Sequence, residues 1–287
     1  RIYRATEVHR VLEDAGVEAL FLKGLAMIPL FPAESTRPMQ DIDVLVRRSD
    51  FDAATAVLAQ QGWSVLSDDS EATRRYDHAA NLGNDRGEEL DLHWRLAPGA
   101  FADNTGDPWE SSRMVTLAGH QIRVLGATYQ LYHSISHGLA WDKEPSLHWI
   151  PDAAFVVESS GDSIDWERLL SLADSNHRGV AVREGLRLLS NGFGVEVPDS
   201  ALESAGNPSG PERREAWCLR HIGPRSIWGG IPDRWYLYRR VATSLSERPT
   251  PWGYLRYLRW RWMPHGSFGS TIKSKIGDRI VVARRRT

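Results

Sequence analysis

The ten-residue stretch RPMQDIDVLV, residues 37–46, places two aspartates inside an apolar run of strand length. Residues two apart in a strand project to the same face, so Asp41 and Asp43 would point together while the apolar residues between and after them point away. Two adjacent carboxylates repel each other and are costly to bury unless a cation neutralises them. The pair therefore predicts half of a Mg²⁺ site, because Mg²⁺ binds a few carboxylates together with phosphate oxygens. A solvated strand edge is the alternative interpretation.

A third carboxylate lies in EELDLHWRL, residues 88–96, where polar and apolar residues alternate. This pattern predicts a second strand, with Asp91 and His93 on one face and the leucines on the other. If the two strands pair, Asp91 completes an acidic triad and binds metal or takes a proton from an attacking hydroxyl. The alternative is the polar face of a half-exposed strand.

A lysine and a glycine follow the apolar run that precedes the aspartates, in FLKGLA at residues 21–26. The pattern predicts a strand that ends at Lys23 and a short helix that opens at Gly24. A glycine lets the backbone approach a phosphate, and a helix N-terminus favours an anion. Lys23 and Arg37 are therefore candidate phosphate-binding residues.

Composition narrows the class of protein. The chain has 287 residues, 41% hydrophobic and 25% charged, with a net charge of −2, so it is not a general nucleic-acid binder. Its single cysteine, Cys218, excludes an intrachain disulfide and a thiolate metal cage, and a reducing, cytoplasmic location is expected. No apolar run is long enough to predict a membrane span, and the first residues read as an amphipathic helix.

The C-terminal segment, residues 251–287, is basic. It holds nine Lys and Arg against one Asp, a net charge of +8, which leaves −10 for the first 250 residues. Its start, PWGYLRYLRWRWMPHG at 251–266, interleaves aromatics with arginines. The segment either docks an anionic partner, or packs its aromatics into the core and leaves its arginines solvated.

Periodicity along the chain predicts an α+β protein in two parts: an N-terminal unit of alternating helices and strands, residues 1–125, and a helical unit, residues 126–287. In the first unit, helices are predicted at 2–15 and 49–62, a hairpin at 115–125, and strands at 17–22, 41–46 and 88–96, with short ones near 63–66 and 77–83. In the second unit, helices are predicted at 127–141, 146–159, 165–176, 178–191, 211–221, 233–246 and 252–262, with a loop at 192–211.

These motifs together resemble the uncharacterised bacterial nucleotidyltransferase family of the polymerase-β-like nucleotidyltransferase superfamily. The resemblance covers roughly residues 5–190 and includes YHSISHGLAWDKEPSLHWIPDAAFVV at 132–157, with His133, His137, Trp149 and Asp152. The motif residues that carry it are Leu22-Lys23-Gly24, Arg37, Asp41 to Val46, and Asp91-Leu92-His93-Trp94.

The resemblance implies a mixed sheet with flanking helices, two Mg²⁺ ions, and transfer of a nucleotidyl group, AMP from ATP favoured, to a hydroxyl of a small-molecule or peptide acceptor. Natural-product tailoring is a further implication, and no sequence-specific nucleic acid is expected. Asp41, Asp43 and Asp91 would be the catalytic and metal residues. The donor nucleotide would be held by Lys23, Gly24, Arg37 and His93.

One departure from the superfamily leaves alternatives open. The superfamily favours a serine after the phosphate-binding glycine, but Leu25 follows Gly24 here. Either Lys23 takes over the phosphate or nucleotide binding differs. Glycosyl transfer from a metal-bound nucleotide sugar and a catalytically silent binding module therefore remain alternative functions. For His133 and His137, four residues apart on one helix, a structural or substrate-facing role is favoured over zinc, and Asp152 could be a hydrogen-bond partner or a pocket residue.

Overall fold

The computed structural model describes residues 2–30, 41–66, 71–96, 107–139, 147–203, 210, 212–213, 215–216, 231–245 and 247–262. Arg37 and Cys218 lie outside the described residues. So do most of the predicted helix at 211–221 and the basic C-terminal segment from residue 263 onward.

Seven strands in the described part of the chain form one mixed sheet, in the order β3-β4-β5-β2-β1-β7-β6. β2 and β5 are parallel, as are β1 and β7, and the remaining neighbours are antiparallel. The strands are β1 (Ala19–Phe21), β2 (Ile42–Val46), β3 (Trp63–Val65), β4 (Ala79–Asn84), β5 (Glu89–His93), β6 (Arg113–Leu117) and β7 (His120–Val124).

Helices lie against both faces of the sheet and make up the second half of the chain. The N-terminal half contains α1 (Ile2–Asp14), α2 (Lys23–Met27), α3 (Phe51–Gln60) and α4 (Glu71–Tyr76). The second half contains α5 (Ala127–Gly138), α6 (Trp149–Ser160), α7 (Trp166–Ser175), α8 (Gly179–Phe193), α9 (Asp199–Leu202), α10 (Ile231–Ser244) and α11 (Pro251–Trp262).

One face of the sheet forms a core with α1 and α3. Val44 of β2 and Leu92 of β5 are partners in register, both fully buried, and they pack in one cluster with Leu12 and Leu58. The apolar positions alternate at period two in both strands, as predicted, so each strand turns one complete apolar set toward these helices. Full burial of each such side chain contributes about 1.5–3 kcal/mol.

The opposite face of the sheet packs against the second half of the chain. Leu20 and Leu45 belong to the same buried cluster as Tyr132 and Ile135 of α5. The helical region therefore shares its core with the sheet, and α5 is buried around almost its whole circumference. Leu45, which points away from α1 and α3, is consequently buried in the same cluster as residues of α5.

The last described helix, α11, packs on the short helix α4 and on α10. Tyr76 and Tyr257 meet edge to face with ring centroids 5.3 Å apart, and the Trp260 indole donates to the Thr73 hydroxyl at 3.0 Å. Arg256 and Arg259 are exposed. Tyr254, Tyr257 and Trp260 therefore pack, whereas Trp252 and the arginines of residues 251–262 face water. An anionic partner for the segment stays a prediction.

The predicted α+β architecture, a mixed sheet with flanking helices followed by a helical region, is confirmed. The last strand ends at Val124 and α5 begins at Ala127. The division of the chain at residue 125 into two domains stays a prediction. In the parts that the structure describes, no helix is both long and apolar enough to cross a bilayer.

Candidate active site

The register between β2 and β5 places the two central aspartates side by side. Asp43 is the direct partner of Asp91 in this parallel pair, and Leu45 is the partner of His93. One ligand atom each from Asp43, Asp91 and His93 lies within 4.8 Å of the other two, a compact group able to hold a metal ion among the described residues. The pairing that the sequence analysis required for a metal site is thus present.

Asp43 is a buried carboxylate with two cationic or polar partners. Its side chain is 2% exposed, and one oxygen, Oδ1, lies 2.5 Å from Lys23 Nζ and 3.1 Å from His93 Nε2. Burial alone would raise the pKa of Asp43, but the hydrogen bond from His93 and the charge of Lys23 hold it far below its ordinary value. Because an ionised carboxylate only accepts hydrogen bonds, His93 donates through Nε2 and carries its lone pair on Nδ1.

Lys23 reaches Asp43 from an unusual backbone conformation. β1 ends at Phe21, the Leu22 amide donates to the Asp43 carbonyl at 3.0 Å, and Lys23 then adopts a φ of +45°. A residue with a side chain rarely occupies this left-handed region, and such conformations concentrate at functional sites. Gly24 follows in the first turn of α2, where it is buried.

Asp41 lies immediately before β2 at the same end of the site. Its carboxyl is partly buried, and its pKa is raised first by burial and then by the charge of Asp43, with Lys23 acting in the opposite direction. Asp41 is thus close enough to interact with the site, but it does not belong to the compact group of Asp43, Asp91 and His93.

Asp91 is held from the neighbouring strand β4. Asn81 is its direct partner in the antiparallel β4–β5 pair, and the Asn81 amide donates to Asp91 Oδ1 at 2.5 Å. Asp91 is less buried than Asp43. One carboxylate of the pair is therefore fixed deep in the protein, and the other lies nearer solvent with an amide that orients it.

Four histidine rings lie beside the aspartates, and we call them the histidine cluster: His78, His93, His133 and His137. The ring of His93 lies 5.3 Å from that of His78 and 6.5 Å from that of His133, measured between centroids. His137 lies 5.6 Å from His133 and 6.5 Å from His78. Because His133 and His137 both belong to α5, the helical region contributes directly to the site.

Three of these histidines, His93, His133 and His137, are largely neutral near pH 7. Burial lowers the pKa of His93 to about 4 and that of His133 to about 3, and it lowers the pKa of His137 well below its ordinary value. The nearby charge of Lys23 acts in the same direction on all three. Neither ring nitrogen of His133 meets the geometry of a hydrogen bond, although the Leu96 backbone lies close enough to affect its pKa.

The structure gives no support to a zinc site at His133 and His137. Within the residues described, neither joins a group of three compact metal-binding side chains. Asp152 lies buried in the first turn of α6, and its role stays open.

His78 and Asn81 lie at the site, although no sequence motif predicted either of them. The segment that contains His78, DHAANLG, shows no pattern that predicts a functional residue. His78 reaches the site because it lies just before β4, the strand that pairs with β5. His78 also lies against Asp77, whose Oδ1 is 2.7 Å from its Nδ1. Asn81 could be predicted from the alternation along β4 only if the pairing of β4 with β5 were already known, because Asn81 then lies on the same sheet face as Asp91.

The site combines paired aspartates on neighbouring central strands of a mixed sheet with a lysine that follows the adjacent strand. A family model described as uncharacterised nucleotidyltransferase matches residues 2–194, and the chain belongs to this family. The resemblance stated from the sequence motifs is thereby confirmed for the family. Its bacterial origin stays a prediction.

Solved structures with similar folds include nucleotidyltransferases. ANT(2″)-Ia in complex with adenylyl-2″-tobramycin is 16% identical, with a TM-score of 0.43 over 61% of this chain and 95% of that one. An antigenic nucleotidyltransferase-like protein from Paracoccidioides brasiliensis is 14% identical, with a TM-score of 0.41 over 70% of this chain and 91% of that one. Likeness at this level carries no information on donor or acceptor. No curated protein matches the sequence.

Proposed function

We propose that this protein transfers a nucleotidyl group, AMP from ATP favoured, to a hydroxyl of a small-molecule or peptide acceptor, with Mg²⁺ as the metal. The observation that carries the proposal is the direct opposition of Asp43 and Asp91, with His93 beside them and all three ligand atoms within 4.8 Å of one another. Acceptors in natural-product tailoring stay an implication of the sequence resemblance.

The residues present fit a divalent metal ion. Two carboxylates supply hard oxygen ligands, and His93 places one ring nitrogen within 4.8 Å of both. Asp91 is only partly buried, which leaves a side of the group open toward a nucleotide. A bound divalent metal would neutralise charge on the phosphate oxygens during transfer.

Residues of the chain would bind the metal, bind the donor phosphates and accept the proton of the acceptor. Asp43 and Asp91 would hold the metal, with Asp41 beside them as a further ligand. Lys23 and Gly24 would bind the donor phosphates, and Arg37, outside the described residues, would assist. Asp91 would also accept the proton of the attacking hydroxyl. The new bond joins that oxygen to the α-phosphorus, and pyrophosphate leaves.

The histidine cluster is the proposed acceptor side of the site. His137 is partly exposed while His133 is 1% exposed, so the cluster runs from the surface toward the aspartates. Neutral imidazoles can hydrogen-bond a hydroxyl without adding charge. An acceptor hydroxyl would approach between α5 and Asp91.

Calorimetric titration of ATP, GTP, CTP and UTP, with and without Mg²⁺, tests this proposal. The titrated proteins are the wild type, Asp43→Asn and Asp91→Asn, with Asp162→Asn as a control because Asp162 is an exposed carboxylate in the turn after α6. We expect Mg²⁺-dependent binding of one NTP, lost in both site variants and kept in the control. Pyrophosphate release with candidate acceptors then measures transfer.

Three results would contradict the proposal. One is the absence of Mg²⁺-dependent binding for all four NTPs. Another is full transfer by Asp43→Asn. The third is an acceptor product that gains the mass of a hexose, with release of a nucleoside diphosphate, since this result would identify a glycosyl-transferring enzyme.

A further inference from the structure

The lysine at the site and the proposed metal use the same carboxylate. Lys23 Nζ lies 2.5 Å from Asp43 Oδ1, and Asp43 is also a member of the compact group that can hold a metal ion. The Asp43 side chain is 2% exposed, so little water screens its charge. The ammonium therefore supplies positive charge where a metal ion would otherwise supply it.

The backbone aims this lysine at the aspartate. The Leu22 amide donates to the Asp43 carbonyl, which fixes the end of β1 against β2 one residue before Lys23. Lys23 then adopts a left-handed backbone conformation, which a residue with a side chain rarely occupies. At the same time its side chain remains 21% exposed, so part of it faces the solvent from which a ligand would approach.

Simultaneous occupancy of Asp43 by the ammonium and a divalent ion is unfavourable. A Mg²⁺ ion sits about 2.1 Å from a carboxylate oxygen, so it would lie only a few ångströms from Nζ. An ammonium and a divalent cation only a few ångströms apart repel each other strongly in a site that water screens little. The donor triphosphate is the group that could receive the displaced ammonium.

We propose that Lys23 is an exchangeable counter-ion for Asp43: it neutralises the aspartate while the metal is absent, and it moves to the donor phosphates when the metal binds. Metal and nucleotide then bind cooperatively, because the metal releases Lys23 from Asp43 and the phosphates of the nucleotide bind the released ammonium. This inference rests on the proposed function, since it needs a metal at Asp43 and Asp91. In the absence of nucleotide the metal therefore binds weakly, because Lys23 already neutralises Asp43.

Mn²⁺ binding, followed by the electron paramagnetic resonance signal of the free ion, tests the exchange directly. Titrations use the full chain with and without α,β-methylene-ATP, which cannot release pyrophosphate. In the wild type we expect the analogue to tighten Mn²⁺ binding by about tenfold or more, with an equal effect of Mn²⁺ on the analogue, as linkage requires.

Lys23→Met removes the ammonium and keeps most of the side-chain length. We expect this variant to bind Mn²⁺ alone about tenfold more tightly than the wild type and to lose most of the coupling to the analogue. Lys23→Arg keeps the charge and should retain weak binding of Mn²⁺ alone. The matched control is Arg10→Met, which removes one exposed cation on α1 and should behave like the wild type.

The outcomes separate this inference from the proposed function. Suppose that Mn²⁺ binds the wild type and that Asp43→Asn abolishes this binding. If Lys23→Met then has the same Mn²⁺ affinity as the wild type, the exchange is wrong but the metal site is supported. Independent binding of Mn²⁺ and the analogue in the wild type overturns the exchange without relying on any variant. If Mn²⁺ does not bind even with the analogue, both the exchange and the proposed metal site are wrong.

Discussion

Asp43 and Asp91 are direct partners in the parallel pair of β2 and β5, and their side chains share a face of the sheet. Since side chains alternate along a strand, a shift of one residue in this pairing would send Asp91 to the apolar face. Val44 and Leu92, the next pair in register, are fully buried on that face. The hydrophobic core therefore fixes the register that brings the carboxylates together.

The two central aspartates differ in what their removal should do to stability. Asp43→Asn leaves Lys23 and His93 without their charged partner, so we expect a loss of about 1–3 kcal/mol in the free energy of unfolding. Asp91→Asn keeps an oxygen that can accept the hydrogen bond from the Asn81 amide, so its free energy of unfolding should fall by less than about 1 kcal/mol. Both variants should lose nucleotidyl transfer. Urea unfolding measures the first effect, with Asp162→Asn as the control, and equal destabilisation by both substitutions would contradict it.

His133 should make the stability of the folded protein depend on pH. The pKa of His133 is about 3 in the folded protein and near 6.5 when unfolded, so between these values only the unfolded chain binds the proton. Stability should therefore fall as pH drops from about 6.5 toward 4, by up to about 1.4 kcal/mol per pH unit for this one group. Asp43, whose pKa is lowered, loses its contribution only at more acidic pH, below the ordinary aspartate value.

Urea unfolding from pH 7 to pH 4 measures this dependence. The His133→Asn variant should have a flatter slope than the wild type, because one titrating group is gone. His120→Asn is the matched control, since His120 is exposed at the start of β7. An unchanged slope in His133→Asn would mean that His133 takes up its proton in the folded protein.

Gly138 should be intolerant of a side chain. A methyl group there would collide with the ring of Trp149, where α5 and α6 approach each other. Gly138→Ala should therefore destabilise the protein by about 1–3 kcal/mol through overpacking. Gly161→Ala is the control, since nothing lies within 4 Å of the added methyl group. Thermal unfolding compares the two, and similar melting temperatures would contradict the close packing of α5 on α6.

The packing of α11 on α4 can be tested by hydrogen exchange. Tyr257→Ala removes the edge-to-face contact with Tyr76 and should speed amide exchange in α4 and α10. Leu255→Ala, which truncates an exposed side chain of the same helix, should leave that exchange unchanged. Equal protection of α4 in both variants would show that this aromatic contact does not hold the helices together.

Most of the elements could be predicted from the sequence because their signals are local. Period-two alternation predicted β2 and β5, and apolar periodicity with terminal glycines predicted α1 and α3. Gly16 and Gly62 indeed follow these helices with φ values of +74° and +84°. The short helix α4 was missed, because six residues with few apolar positions give no periodic signal and the helix depends on packing with α11.

The sequence by itself determined which side chains share a face: Asp41 with Asp43, and Asp91 with His93, because alternation along a strand is a property of the backbone. Only the tertiary structure decided that β2 lies beside β5 in direct register, that Lys23 pairs with Asp43, and that His133 and His137 of α5 cover the site. These contacts join segments far apart in the chain. Their formation depends on the burial of two opposite sheet faces at once, which no local pattern encodes.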